Sequence, residues 1–453
     1  MFKSITVLGL ARSGIAAAQL ALMKGMSVYA SDAADNELLR GVAAELRAKG
    51  AEVDLGNANV DKIVNTEAIV VSPGIPPHAA PLNDGRLTRR KRISELEFAS
   101  RFITGKTIAV TGTNGKSTTT AWVGHVLGEA GLKVEVAGNI GNALSNVAML
   151  EEQPDWVVIE ASSFQLADID RFVPSIGVVT NLSPDHLDRY DSIDDYYGDK
   201  KRMFKNATID SIWVLNGDEP DVLKLPGDAS GRRLSFRIAA ELGVGEHGAF
   251  WVERTDELIL KVDSLHASLV RSAELKLPGS HNVANALAVS LVAIGTGIPL
   301  QSIRDGLKSF GGLPHRMQVV ADRNGIVWIN DSKATNVAST IVALRSMKRP
   351  TVLLLGGKHK GEPYNGLLPH TANVKTVIAF GEAAASIEQD LKDAVDVARV
   401  DGSFDDVIKR AARIAVKGDA VLLSPACSSF DMFRNYEERG EEFARLANEK
   451  ANG

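Results

Sequence analysis

Residues 108–119 read Ile-Ala-Val-Thr-Gly-Thr-Asn-Gly-Lys-Ser-Thr-Thr, an apolar strand pattern that runs into a glycine-containing turn and then a helix-forming segment. At such a helix start the backbone N–H groups point towards an anion, and a lysine adds a positive charge. We predict that this loop binds the phosphates of a nucleotide, with the Ser117 hydroxyl available to Mg²⁺. The residues predicted to contact the nucleotide are Gly112, Thr113, Asn114, Gly115, Lys116, Ser117 and Thr118.

The loop is a shorter variant of the usual G-x-x-x-x-G-K-[ST] motif. Val110 stands where that motif has its first glycine, five residues before Gly115. The strand before it and the helix after it still favour a phosphate loop over a chance match.

The composition of the whole chain is that of a globular protein. The chain has 453 residues, 45% hydrophobic and 24% charged, with a formal net charge of -5, so we expect several domains and no nucleic-acid partner. The single cysteine, Cys427, allows no intrachain disulfide, which predicts a cytoplasmic location. We predict neither a signal peptide nor membrane insertion, because the longest apolar run, residues 287–300, is short and interrupted.

Alternating strand and helix patterns predict an α/β fold of three domains, each built on a mostly parallel sheet. We place a Rossmann-like domain at residues 1–93, a P-loop ATPase-like domain at 94–310 and a second Rossmann-like domain at 311–453. The cationic stretch 86–92 is interpreted as a solvated linker rather than a ligand-binding patch.

Polar side chains follow two predicted strands of the central domain. Glu160 stands at the end of one strand, and the segment 181–190 with His186 follows the next. Ligands of such sheets bind at the carboxyl ends of the strands. A lone glutamate there would face solvent and a lone histidine is more often structural, so the residues alone leave the metal site open.

The phosphate loop, Asp185-His186-Leu187-Asp188 and the Tyr-x-x-x-Lys-x-Arg pattern of residues 196–202 together resemble the Mur ligase family, over nearly the whole chain. The resemblance implies that the loop binds ATP and that two Mg²⁺ ions are bound by Ser117, Glu160, His186 and Lys200, with Lys200 as a carbamate. Lys201 is the alternative carbamate position. The implied catalytic residues are Lys116, His186 and Lys200.

Further ATP contacts are implied outside the loop. Segment 281–285 resembles the family's adenine-binding segment, which assigns Asn282 and Asn285. In the third domain the resemblance assigns Arg316 and Asp331 to ATP.

The first domain carries Gly-Leu-Ala-Arg-Ser-Gly at residues 9–14, a partial match to a dinucleotide-binding turn. Ala11 replaces the middle glycine that permits close approach of a pyrophosphate, which disfavours a dinucleotide. The family resemblance implies a uridine diphosphate sugar instead. Its implied contacts are Ser13, Gly14, Asp32, Ser72, Gly74 and Asn139.

The third domain resembles the branch of the family that adds D-glutamate. The implied acid contacts are Thr335, Lys360, Ser429 and Phe430. Relatives commonly have Asp-Gly-Lys where this chain has Lys358-His359-Lys360, so Lys358 is the alternative contact. Cys427 is interpreted as a small buried thiol rather than a nucleophile.

The implied function is ATP-dependent ligation of D-glutamate to UDP-N-acetylmuramoyl-L-alanine through an acyl phosphate, in cell-wall precursor synthesis, by a monomer. Three alternatives remain at this point: a ligase of the same family with another acid, a nucleotide-dependent switch or motor, and an NAD-dependent oxidoreductase. A panel of amino acids scored by phosphate release separates the first from the expected reaction, and dependence of ATP turnover on the amino acid and the nucleotide sugar separates the second. Ala11 and the second nucleotide loop disfavour the third.

Overall fold

The computed structural model describes residues 2–185, 189–359 and 361–450, and the chain forms two compact units, residues 1–310 and 311–453. The first unit contains two sheets and the second contains one. Most neighbouring strands in all three sheets are parallel, with helices between them. The predicted fold class is therefore confirmed.

The first sheet has five parallel strands in the order β3-β2-β1-β4-β5. Its strands are β1 Ser4–Leu8, β2 Ser27–Asp32, β3 Glu52–Leu55, β4 Ala68–Val71 and β5 Arg92–Ser94. Its helices are α1 Arg12–Met23, α2 Glu37–Ala48, α3 Val60–Val64 and α4 Glu95–Ser100. The strand order reverses direction at β1 and β4, which opens a crevice at their carboxyl ends.

The second sheet has nine strands in the order β14-β13-β12-β11-β10-β9-β6-β8-β7. These are β6 Lys106–Thr111, β7 Val134–Gly138, β8 Trp156–Glu160, β9 Ile176–Val179, β10 Ile212–Asn216, β11 Arg232–Arg237, β12 Gly248–Val252, β13 Glu257–Val262 and β14 Leu265–Arg271. Its helices are α5 Lys116–Glu129, α6 Leu144–Ala148, α7 Ser163–Ala167, α8 Ile193–Lys201, α9 Pro220–Lys224, α10 Ser280–Thr296 and α11 Leu300–Ser309. Strands β12, β13 and β14 are antiparallel to one another in turn and form one end of this sheet.

The third sheet, in the second unit, has the order β15-β16-β20-β17-β18-β19, and only β15 is antiparallel to its neighbour. Its strands are β15 Gln318–Arg323, β16 Ile326–Asn330, β17 Thr351–Gly356, β18 Val374–Phe380, β19 Val397–Val400 and β20 Ala420–Leu423. Its helices are α12 Val337–Ser346, α13 Ala384–Leu391, α14 Phe404–Ile414 and α15 Tyr436–Lys450. Every residue of β17 is buried, as expected for a central parallel strand covered on both faces.

Two further observations concern the cationic stretch and the length of the helices. The first sheet includes β5, so Arg92, the last residue of the cationic stretch, lies in a strand rather than in a linker. Among the described residues, no helix is both long enough and apolar enough to cross a bilayer.

Candidate active site

The phosphate loop (residues 112–117) joins β6 to α5 through two glycines in the left-handed half of backbone space. Gly112 has φ +138° and Gly115, which precedes the helix, has φ +80°. A Cβ on Gly112 would lie 2.1 Å from Thr180 Oγ1, and one on Gly115 would lie 2.7 Å from Asn285 Oδ1. Both positions therefore require glycine on steric and conformational grounds.

The segment that follows β9 holds this loop in place. Asn114 N donates to Asn181 Oδ1 at 2.7 Å, and Thr180 Oγ1 donates to Asn114 O at 2.6 Å. Lys116 Nζ lies over the loop and donates to Thr113 O at 2.8 Å. The loop conformation is thus fixed by its neighbours, with the lysine ammonium already at the start of α5.

Glu160 ends β8 next to β6, as predicted. Its Oε1 accepts a hydrogen bond from Asn139 Nδ2 at 2.8 Å, whereas its buried Oε2 has no partner among the described residues. Burying a carboxylate oxygen without a partner is costly. A cation at this edge of the sheet would satisfy it, so the Glu160 carboxylate fits the predicted Mg²⁺.

The two lysines near the end of α8 differ in their surroundings. Lys200 is 1% exposed and its Nζ donates to Gly112 O at 2.7 Å, while Lys201 is exposed. Burial, and next the charge of Lys116, lowers the pKa of Lys200 well below its usual value. Lys200 therefore lies beside the phosphate loop with a tendency to be neutral, which favours it over Lys201 as the functional lysine.

The other predicted metal ligands are Ser117 and His186. Ser117 is buried in the first turn of α5, where its hydroxyl belongs to the phosphate loop. His186 lies outside the described residues. Within the part of the chain that the structure describes, no group of three or more His, Cys, Asp or Glu side chains is placed to hold a metal ion.

Helix α10 brings the predicted adenine contacts to the same loop. Asn285 Oδ1 accepts from Thr119 Oγ1 at 3.2 Å, and Asn285 Nδ2 donates to Asn282 Oδ1 at 3.2 Å. The structure thus places Asn285 beside Gly115 of the phosphate loop and Asn282 next to Asn285.

The predicted sugar contacts other than Asn139 lie at the carboxyl edge of the first sheet, whereas Asn139 follows β7 of the second. Ser72 Oγ donates to Gly9 O at 3.0 Å, and a Cβ on Gly14 would lie 1.8 Å from Gly9 O, so the two turns pack tightly. Asp32 Oδ2 accepts from Leu10 N at 2.7 Å and therefore braces the first turn. Ser13, in the first turn of α1, is half-buried beside them.

Two cavities open beside residues 72–75, which we call the sugar turn. One of about 420 Å³ is lined by Ser72 and Arg189 among others, and one of about 450 Å³ is lined by Gly9 and Gly74. Arg12 Nη2 donates to Asn139 O at 3.5 Å, which links the sugar region to the residue that bonds Glu160. The first unit therefore joins the predicted sugar, metal and phosphate residues.

In the second unit, Asp331 follows β16 and is 5% exposed. Its Oδ2 accepts from Ser424 Oγ at 2.8 Å and its Oδ1 accepts from Met317 N at 3.2 Å. Burial raises the pKa of Asp331 to about 6, although the Ser424 hydrogen bond and the charge of Arg316 oppose the shift.

The predicted acid contacts of the second unit follow three adjacent strands. Ser429 is buried, Thr335 is half-buried and Phe430 is 68% exposed, while Lys360 lies outside the described residues. Lys358 is exposed and its backbone N donates to Ser428 O at 2.8 Å, which ties the loops after β17 and β20 together. Cys427 is 1% exposed and its Sγ lies 3.0 Å from Tyr364 Oη, which confirms a buried thiol.

Arg439 is the residue of this region that the sequence analysis missed. Its fully buried guanidinium donates to Ser332 Oγ and Ser332 O at 2.9 Å each and to Cys427 O at 3.1 Å, and burial lowers its pKa to about 10. A signal existed, because Arg439 falls on the buried side of the amphipathic helix α15 together with Phe443 and Ala447.

Comparison with protein families places all three parts of the chain in one family. Residues 3–87 match the Mur ligase MurD-like N-terminal domain, residues 110–293 the Mur ligase middle domain and residues 315–427 the Mur ligase, glutamate ligase domain.

Curated relatives match over almost the full length. The chain is 38% identical over 452 residues to the UDP-N-acetylmuramoylalanine--D-glutamate ligase of Koribacter versatilis, covering 99% of this chain and 98% of the relative. It is also 38% identical to the protein of the same name from Geotalea uraniireducens, covering 98% and 97%.

Solved structures share the fold. The UDP-N-acetylmuramate-alanine ligase of Thermotoga maritima aligns with a TM-score of 0.60 at 20% identity, over 99% of this chain and 100% of that one. A pseudomurein peptide ligase type C from Methanothermus fervidus aligns with a TM-score of 0.59 at 21% identity, over 99% of both chains.

Proposed function

The chain belongs to the Mur ligase family, and we propose that it joins D-glutamate to UDP-N-acetylmuramoyl-L-alanine at the expense of ATP. The observation that supports this most directly is the carboxyl edge of the second sheet, where the phosphate loop and the buried Glu160 oxygen follow the adjacent strands β6 and β8. The substrates are those for which the relatives are named.

The reaction needs an activated carboxylate, because a carboxylate repels a nucleophile and has no good leaving group. The alanine carboxylate attacks the γ-phosphorus of ATP, which releases ADP and forms an acyl phosphate. The neutral amine of D-glutamate then attacks the acyl carbon, and phosphate leaves as the amide forms and a proton is released. Lys116 and the backbone N–H groups at the start of α5 offset phosphate charge during the first step.

Mg²⁺ would be held by Glu160, Ser117 and His186, where it would neutralise charge on the transferred phosphoryl group. We propose that Lys200, rather than Lys201, adds an oxygen ligand as a carbamate. A neutral amine attacks carbon dioxide, and a proton is lost as the carbamate forms. The lowered pKa of buried Lys200 supports this assignment.

We propose the following residues as contacts of the three substrates. Ser13, Gly14, Asp32, Ser72, Gly74 and Asn139 contact the nucleotide sugar. Asn282, Asn285, Arg316 and Asp331 contact ATP. Thr335, Lys360, Ser429 and the backbone at Phe430 contact D-glutamate.

We also propose domain boundaries at residues 93 and 310, a monomeric state and a cytoplasmic location. Size-exclusion chromatography with light scattering tests the state, since a monomer has a mass of 48.4 kDa.

The test of the reaction is phosphate release from ATP with UDP-N-acetylmuramoyl-L-alanine and one amino acid at a time. We expect turnover with D-glutamate and little with L-glutamate, L-alanine or diaminopimelate. ATP hydrolysis that is independent of both acceptors would instead indicate a switch or motor, and equal rates with all four acids would contradict the D-glutamate assignment. The Lys116→Met variant controls for contaminating ATPases.

A further inference from the structure

Arg189 reaches from the segment after β9 to the sugar turn. Its Nη1 donates to Pro73 O at 2.6 Å and its Nη2 donates to Ile75 O at 2.8 Å. One planar guanidinium thus binds two carbonyls of the same turn. A pair of bonds from a rigid fork fixes orientation as well as distance.

The face of the same guanidinium lies on an aromatic ring of the central domain. The guanidinium carbon of Arg189 is 3.8 Å from the centroid of the Phe164 ring, within the range of a cation–π interaction. Phe164 belongs to α7, which follows Glu160 at the end of β8. Arg189 therefore contacts both the sugar turn and the segment that carries the predicted metal ligand.

The stack continues towards the phosphate loop. The Phe164 and Tyr190 rings are 5.6 Å apart and nearly parallel, and Tyr190 Oη donates to Asp199 Oδ2 at 2.9 Å in α8. From the same helix, Tyr196 Oη donates to Thr113 Oγ1 at 3.3 Å. Contacts therefore run without a break from the sugar turn to the loop that is predicted to bind ATP.

We propose that Arg189 is a positioning residue that holds the sugar turn in register with the phosphoryl-transfer site. The proposal rests on the proposed ligase function and adds a determinant of nucleotide-sugar binding. Because Arg189 acts through the carbonyls of the turn and the Phe164 ring, its loss should affect the nucleotide sugar far more than ATP or D-glutamate.

The test compares Arg189→Met, Arg189→Lys and Phe164→Leu with the wild-type protein. Arg189→Lys keeps the charge but loses the planar fork and the stacking, so it should behave like Arg189→Met. We expect the KM for the nucleotide sugar, and its Kd by calorimetry without ATP, to rise about tenfold in both arginine variants. The KM values for ATP and D-glutamate should stay within about twofold, as expected of an effect confined to the sugar turn.

Phe164→Leu leaves Arg189 in place and should give a smaller rise in the same two constants, which keeps the proposal testable if an arginine variant fails to fold. Arg171→Met is the matched control, because the Arg171 side chain is 77% exposed and its Nε lies 3.8 Å from Asp170 Oδ2, near the outer limit of an ion pair. An unchanged Kd in Arg189→Met, or equal losses for all three substrates, would overturn the proposal. Binding without phosphate release in the wild type would reject the ligase function, while the Kd comparison would still decide the role of Arg189.

Discussion

Lys200 and Lys201 are adjacent in sequence but lie in opposite environments, one buried at the phosphate loop and one exposed. If Lys200 carries the carbamate, Lys200→Met should lower kcat by about 10³-fold or more, as expected for the loss of a charged group at a phosphoryl-transfer site. Lys201→Met, a matched neutral replacement one residue away, should retain wild-type kcat within about twofold because its side chain faces solvent. Phosphate-release kinetics measure both, and the reverse order of losses would assign the carbamate to Lys201.

Asp331 gives a second prediction at the same scale. Its folded-state pKa of about 6 exceeds the value of about 3.9 for an unfolded aspartate. The native state therefore holds the proton more tightly, and the resulting stabilisation is complete below about pH 4 and is lost as the pH rises through about 6. Asn mimics the protonated acid, so Asp331→Asn should raise the unfolding free energy at pH 8 by about 1–3 kcal/mol.

Urea unfolding of Asp331→Asn at pH 4.5 and pH 8 measures this effect, and the gain should shrink at the lower pH. Turnover should fall even as stability rises, because Asp331 is a proposed ATP contact. Asp393→Asn, at an exposed position, controls for the change of residue type. A gain of equal size at both pH values would contradict the role of burial.

At the scale of elements, the phosphate loop depends on two glycines. Gly112→Ala places a Cβ 2.1 Å from Thr180 Oγ1 at φ +138°, and Gly115→Ala places one 2.7 Å from Asn285 Oδ1 at φ +80°. We expect each to destabilise the protein by about 1–3 kcal/mol and to raise the Kd for an ATP analogue by more than tenfold.

Gly128→Ala, in the helix α5 that follows the loop, is the matched control. A Cβ there meets no atom within 4 Å outside the neighbouring residues and the backbone of its own helix, and alanine in place of glycine in this last helical turn should add up to about 0.5–1 kcal/mol of stability. Chemical denaturation and nucleotide titration measure all three variants. Normal nucleotide binding by Gly112→Ala would show that the loop does not need its observed conformation.

Central strands of these sheets are readily predicted from the sequence, and short edge strands are not. Strands such as β8 and β17 are buried on both faces and appear as continuous apolar runs, which sequence patterns detect readily. The four-residue strand β3 and the three-residue strand β5 are too short for a periodic signal. The cationic residues before β5 are typical of a linker. The strand β5 forms because β4 provides its backbone hydrogen-bond partners.

The residues of the candidate site also differ in how far the sequence alone predicts them. The phosphate loop and Glu160 could be found because each follows a strand in a recognisable motif. The family motif favours Lys200 over Lys201, and the structure adds a physical reason, since one position along a helix decides whether a side chain faces the core. Arg189 could not be assigned from sequence at all, because its partners Pro73 and Ile75 are more than 110 residues away.

At the scale of the whole molecule, the proposed nucleotide-sugar contacts all lie in the unit 1–310, whereas the proposed D-glutamate contacts lie in the unit 311–453. A ligand stabilises the part of the protein whose native state binds it, by about 2.7 kcal/mol at a concentration of one hundred times Kd. We therefore expect the nucleotide sugar alone to slow amide hydrogen exchange at residues 9–14 and 72–75. Exchange in β17, the core strand of the second unit, should stay unchanged.

Peptide-resolved mass spectrometry measures this exchange with and without the nucleotide sugar. UDP is the control ligand, since it should protect residues 9–14 but lacks the sugar that is proposed to contact Asn139. Equal protection of β17 by the nucleotide sugar would show that the second unit responds to a ligand bound entirely by the first. In that case binding of the nucleotide sugar would be coupled to the acid site of the second unit. This coupling would favour an order in which the nucleotide sugar binds before D-glutamate.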